Sequence, residues 1–357
     1  MSNGFWNTIL GFFGVSETTS SRPEHPVAGE ADAMLQALVT EGRVPGLAVA
    51  AIRDGRPVLV KGYGYACLES NTPVRPEQTV FRVASVSKPI TATALARMVA
   101  AGQLGLDDPL ERYVPEFPHK GISLRQLAAH TAGLRGYRGK EWALNRPYSI
   151  ADSLEVFRDD PLLFPPGTGF QYNSFDFILL SLAMERVAGM PFHKLVRKQV
   201  TEPFGMVQTT QEVPGSRVPG QAACYTRQRR GFRPAIPVDN RFKLAGGGYL
   251  STVSDLTRLG KAYLEGRVAP EPVLREFLKG YTAGGTPTWY GLGWQVSQDA
   301  SGRRYFGHIG NGVGGYSNFF IYPESGWLVS ILTNCTDPGI QPYLDLVIAS
   351  LLDTPSP

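Results

Sequence analysis

Strand-like runs crowd the two ends of this sequence while helical periodicity fills its middle, and that arrangement limits the fold more than any single motif. Near the start, apolar residues from Val27 to Leu38 fall on one helical face, and GLAVAAIRDG and RPVLVKGYGYA then read as two strands turning at Asp54-Gly55. Beyond residue 240 come GGYLST, a helix at 253 to 265, and YGLGWQVS, RYFGHIG, GGYSNFFIYP and WLVSILTN, with a final helix near 341 to 352. The short links between those last strands predict an antiparallel meander. Residues 86 to 101 read as a helix stopped at Gly102. From 109 to 240, helical stretches such as ISLRQLAAHT and SFDFILLSLAMERVAG are broken by Pro and Gly loops. The expected fold is α/β of the α+β type: one antiparallel sheet built from both chain ends, flanked by helices, with a mainly helical lobe at about 109–240 inserted. Residues 1–26 are expected to be an N-terminal extension and 27–357 one domain.

Charge and composition exclude several classes. The 35 basic and 31 acidic side chains are scattered, and the short cluster at Arg227, Arg229 and Arg230 reads as a solvated loop, so a nucleic-acid partner is not expected. Cys67, Cys224 and Cys335 are odd in number and lack CxxC spacing, which argues against a disulfide framework or a zinc site and fits a reducing, cytoplasmic compartment. The five histidines show no metal-ligand spacing. The glycines at 246 to 248 and in GNGVGG lack the context of a phosphate cradle, so no cofactor is expected. Phe5, Trp6, Ile9, Leu10, Phe12 and Phe13 recur at helical spacing without a basic n-region or cleavage site and over too short a stretch to span a bilayer. They read as a short helix packed on the body, with membrane-surface contact or homo-oligomer formation as the alternatives.

Chemistry centres on FRVASVSKP, residues 81 to 89. If a helix begins at Ser85, the Ser85 hydroxyl and the Lys88 amine share one face a turn apart. Pro89 supports a start there, because a proline is tolerated in the first turn, where backbone donors have no intrahelical partner. A serine at that place meets free N–H groups and the positive end of the helix dipole, and a lysine that is neutral can remove its proton. Spacing alone also allows an N-cap serine beside a solvated lysine. The motif is the only S-x-x-K in the chain, and LAAHTAGL, PGTGFQYNS, AGGGYLSTVSDL, YGLGW and GHIGNGVGGYS follow it in order.

As an ordered set over about residues 27 to 350, these segments resemble the serine β-lactamase and penicillin-binding-protein superfamily. The likeness is to its class C branch with the related carboxylesterases, D-amino-acid peptidases and mitochondrial β-lactamase-like proteins. The resemblance implies Ser85 as acylated nucleophile, Lys88 as its proton-handling partner and Tyr172 as proton relay. It implies an oxyanion hole from the backbone N–H groups of Ser85 and Asn311, and a cleft edge at His308, Ile309 and Gly310. Ser174 stands where lactamases hold an asparagine that contacts the substrate amide, and His308 replaces a lysine that helps bind a carboxylate. Both departures favour the esterase and peptidase relatives. His130 of HTAGL reads as structural, and no G-x-S-x-G elbow occurs to support an α/β-hydrolase. The expected activity is hydrolysis of a small ester, amide or peptide through an acyl-enzyme. A β-lactamase, an acyltransferase and a filament-forming scaffold that retains the fold are the alternatives.

Overall fold

The computed structural model describes residues 27–353, so the apolar N-terminal positions singled out above lie outside the described residues. A seven-stranded antiparallel sheet forms the centre. Its strands are β1 (Gly46–Arg53), β2 (Arg56–Cys67), β3 (Thr72–Pro73), β4 (Gln295–Gln298), β5 (Arg304–Gly312), β6 (Gly315–Tyr322) and β7 (Trp327–Thr333), in the spatial order β4-β5-β6-β7-β1-β2-β3. The two chain ends meet where β1 pairs with β7, from Leu47 opposite Thr333 to Arg53 opposite Trp327. The hairpin between β1 and β2 turns at Asp54 and Gly55 with φ of 49° and 75°, the paired left-handed geometry that its sequence favours.

Every residue of β6 and β7 is buried, as is all of β1 but its last, because both faces of the sheet are covered. Leu47, Val49 and Ala51 of β1 face helix α1 (Val27–Thr40) and helix α5 (Gln341–Leu352), packing with Ala31, Leu35, Leu38, Leu344, Val347 and Leu351. Ala48, Ala50 and Ile52 alternate to the opposite face. There helix α4 (Val253–Leu264), capped by Thr252 Oγ1 accepting from Asp255 N, lies on the sheet so closely that a Cβ at Gly260 would sit 2.8 Å from Leu328 Cδ2. Joined to α4 by the 2.9 Å hydrogen bond between Thr93 Oγ1 and Tyr263 Oη is α2 (Ser87–Ala100), of which only the last turn reaches solvent. A helix apolar on every side belongs in a core, and its few hydroxyls are satisfied there: Thr91 Oγ1 donates to Ala245 O and Thr93 Oγ1 to Pro89 O.

Between residues 109 and 240, α3 (Phe175–Ala188) is the one long α-helix among the described residues. ISLRQLAAHT forms only the five-residue helix Leu124–Ala128, opened by a capping box of Ser123 and Gln126. Prolines at 109, 115, 118, 147, 161, 165 and 166 interrupt the rest. The lobe is therefore more irregular than its apolar periodicity predicts. No helix among the described residues is long and apolar enough to cross a membrane.

Gly260→Val would drive two methyl groups into Leu328 and Phe319. We expect a loss of about 1–3 kcal/mol in stability by urea denaturation, with unchanged far-ultraviolet circular dichroism in the native baseline.

Candidate active site

Ser85 sits on a strained turn between a two-residue strand, Phe81–Arg82, and α2. The α-helix begins at Ser87, one residue inside the 86 to 101 read from the sequence, and Ala84–Val86 form a preceding 3-10 turn, so Ser85 lies before the α-helix rather than at its start. Ala84 adopts φ 45°, a conformation that alanine favours poorly and that the surrounding contacts must enforce. Lys88 follows in the first turn of α2 and is fully buried. Its Nζ lies 3.3 Å from Ser85 Oγ and donates to Gly246 O at 2.9 Å. Burial pulls the Lys88 pKa down to about 7, against the opposing pull of Asp176. The amine also lies 4.6 Å from the centre of the Tyr172 ring and 5.4 Å from that of Phe177.

Tyr172 hydrogen-bonds Ser85, and burial holds its phenol well above the usual tyrosine range. It therefore stays protonated at neutral pH. Ser85, Lys88 and Tyr172, read as a set from the sequence, are brought together in contact.

Strand β5 closes the other side. An added Cβ at Gly310 would lie 2.4 Å from Val83 O and 3.0 Å from Ser85 N, so only glycine lets the strand approach the turn this closely. Ser317 Oγ, opposite Gly310 on β6, donates to the same Val83 carbonyl at 2.6 Å. Asn311 is exposed beside it. His308 is 1% exposed: its Nδ1 lies 2.6 Å from Ile309 O, which must accept a proton there, and its Nε2 accepts from Tyr290 Oη at 2.9 Å. Burial and the nearby Lys88 push its pKa down to about 3, so the ring is neutral and carries no charge for a carboxylate.

His130, Asn173 and Asp176 form a second buried group. His130 follows the short helix with φ 60°, and its Nδ1 lies 2.8 Å from Asp176 Oδ2. Asn173 Nδ2 donates to the same oxygen at 2.7 Å, and Asp176 N returns a bond to Asn173 Oδ1. Burial raises the Asp176 carboxyl well above its ordinary range and holds His130 well below its own. The His130 ring packs edge-on against Tyr172 with centroids 4.6 Å apart, while Gln171 N donates to His130 O. Thus the residue expected to be structural braces the segment bearing Tyr172. Ser174 is half-buried and hydrogen-bonded to Tyr137.

Sequence reasoning did not single out Asp176, Tyr290 or Tyr137. A carboxylate inside the apolar run SFDFILL was the available signal for the first; Tyr290 belongs to the quoted YGLGW, but nothing in its spacing pairs it with His308. Among the described residues, no group of three or more His, Cys, Asp or Glu side chains is placed to hold a metal ion.

Comparison with known proteins adds a family-scale match. A family model described as Beta-lactamase matches residues 31–353. The human mitochondrial serine beta-lactamase-like protein LACTB is 28% identical over 420 residues, covering 86% of this chain and 76% of that protein. Esterase EstB of Burkholderia gladioli is 34% identical over 200 residues, half of each chain. The D-amino acid amidase of Ochrobactrum anthropi SV3, complexed with L-phenylalanine, superposes with a TM-score of 0.82 at 20% identity, over 92% of this chain and 99% of that one, a likeness of fold.

Removing one hydroxyl tests how the His308 ring is held. Tyr290→Phe leaves a buried imidazole nitrogen without its donor, and we expect a loss of about 1–3 kcal/mol in chemical denaturation; an unchanged midpoint would show that the bond holds nothing.

Proposed function

The chain belongs to the Beta-lactamase family, and from that premise we propose that it is a serine hydrolase that cleaves carboxylic ester or amide bonds through an acyl-enzyme on Ser85. The observation that carries this is the fully buried Lys88 amine 3.3 Å from Ser85 Oγ, with its pKa drawn down to about 7. At neutral pH a large fraction of that amine is unprotonated and able to act as a base. Tyr172 cannot take the role as a phenolate, because burial keeps its proton on.

The steps follow from those protonation states. Ser85 Oγ attacks the acyl carbonyl carbon as its proton moves to Lys88 Nζ, and the carbonyl electron pair collects on the oxygen. The backbone N–H groups of Ser85 and Asn311 are assigned to that oxyanion. Collapse of the tetrahedral intermediate breaks the bond to the leaving alcohol or amine, which takes a proton from Tyr172 Oη, and Tyr172 is refilled from Lys88. Water then repeats the sequence on the ester of Ser85, giving its proton to Lys88 and releasing the acid and the free serine. Neutral His308 supports an esterase or peptidase reading over a lactamase one, since the strand lacks the cation that would meet a carboxylate there.

Two measurements test the assignment. A fluorophosphonate should add once to the wild-type protein by intact mass and not to Ser85→Ala, and short-chain p-nitrophenyl esters should be turned over only by the wild type; an unlabelled wild type would overturn Ser85 as nucleophile. The base must be deprotonated to act, so kcat/KM should rise about tenfold per unit below pH 7 and level off above it. Lys88→Met should lower it by about 10²-fold or more. A profile flat from pH 5 to 8 would remove Lys88 from the role of base.

A further inference from the structure

A wall of charged side chains next to the Ser85 turn carries more positive than negative charge. Arg82, three residues before Ser85, grips Glu212 by two parallel bonds, Nε to Oε2 and Nη2 to Oε1, both 2.8 Å. Asn240 Nδ2 and Gln221 Nε2 also donate to Glu212, leaving it fully engaged. Arg241 closes on Asp239 in the same way, Nη2 to Oδ2 at 2.6 Å and Nε to Oδ1 at 3.0 Å. Both carboxylates of this wall are thus matched by arginines, and Lys243 is the cation left over. Those are also the two carboxylates that act on Lys243 through space.

Lys243 is 7% exposed. Among the described residues its ammonium has one hydrogen bond, to Trp142 O at 2.6 Å, and otherwise looks onto the rings of Phe242 and Tyr137 at 5.7 and 5.8 Å. An ammonium has three donors, and leaving two of them unfilled inside a protein is unfavourable unless something arrives to meet them. Burial and the neighbouring Arg82 draw its pKa down to about 8, which leaves it mostly protonated at neutral pH.

Its position connects it to the reacting groups from two directions. Lys243 O accepts from Gly246 N and Gly247 N, in the turn whose Gly246 carbonyl holds Lys88. Through Tyr137 it reaches Ser174, two residues from Tyr172. A surplus cation, unfilled donors and two adjacent hydroxyls on one wall make a subsite for an anion with several acceptor atoms.

We propose that Lys243, with the hydroxyls of Tyr137 and Ser174, recognises a carboxylate carried by the substrate, which makes this a hydrolase of anionic esters or amides. The proposal rests on Ser85 as nucleophile for its catalytic meaning. It also assigns carboxylate recognition to Lys243 rather than to the neutral His308.

The test compares charged and neutral substrates within each variant. Neutral p-nitrophenyl butyrate is set against p-nitrophenyl monoesters of succinic, glutaric and adipic acids, and phenyl acetate against 4-acetoxybenzoate, so that a carboxylate on the acyl side and one on the leaving group are read separately. The wild type should favour the charged member of at least one pair in kcat/KM. Lys243→Met should lower that charged-to-neutral ratio at least tenfold, and Lys243→Arg should restore most of it. Lys243→Gln, which keeps a donor for Trp142 O, serves if the methionine variant fails to fold by circular dichroism. Glutarate binding by calorimetry provides a readout independent of turnover and should weaken at least tenfold in Lys243→Met or Lys243→Gln. Lys243-dependent glutarate binding without a fluorophosphonate adduct would leave the subsite standing and overturn the nucleophile. Labelling of Ser85 with no charge preference in the wild type, no glutarate binding, or either one unchanged in Lys243→Met or Lys243→Gln would overturn the subsite.

Discussion

The fully buried amine of Lys88 is the constraint around which this molecule is arranged. A lysine excluded from water needs acceptors at its head and close packing along its stem, and here Gly246 O, Ser85 Oγ and the ring of Tyr172 supply the first while α2 supplies the second. Those contacts come from three separated stretches of chain, so the position of one nitrogen depends on the inserted lobe, the Leu244–Gly248 turn and the core helix at once. The same exclusion from water that makes the amine costly to bury also makes it a base near neutral pH. Stability and reactivity are opposing consequences of one burial.

Around that amine burial favours the uncharged form of each neighbouring titratable side chain. His308 is kept neutral by burial and by the nearby Lys88, Tyr172 keeps its proton, and burial moves His130 and Asp176 towards their neutral forms. A nearby cation would further depress the amine, and a nearby bare anion would raise it towards an ordinary lysine. Charged groups cluster instead around Lys243, where Arg82 pairs with Glu212 and Arg241 with Asp239. Groups inclined to their neutral forms thus surround Lys88, while charged groups surround Lys243.

Much of this was legible in the sequence, for reasons that differ by residue. The sheet could be read because strands β1, β6 and β7 are continuous apolar runs of strand length at opposite ends of the chain. Ser85, Lys88 and Tyr172 could be read because two lie one turn apart beside a proline and the third belongs to an ordered set of segments. The exact start of α2 could not, since it depends on Ala84 adopting φ 45°, a conformation that its side chain does not advertise. Asp176, Tyr290 and Lys243 act through burial and through partners distant in sequence, and neither leaves a periodic trace. The irregular lobe was misjudged in degree because apolar spacing survives where prolines have already prevented helix.

The pairing of β1 with β7 also bears on how the chain is made. Leu47 finds its partner at Thr333, so the pairing of β1 with β7 cannot form until residues through 333 have left the ribosome. Until then the β1–β2 hairpin presents an open, fully apolar edge, and the segment bearing Ser85 has no β5 to close against. Such long-range pairing folds slowly and leaves aggregation-prone edges exposed while synthesis continues. The surroundings of Ser85 are therefore completed only once both halves of the sheet have been made, rather than gradually along the chain.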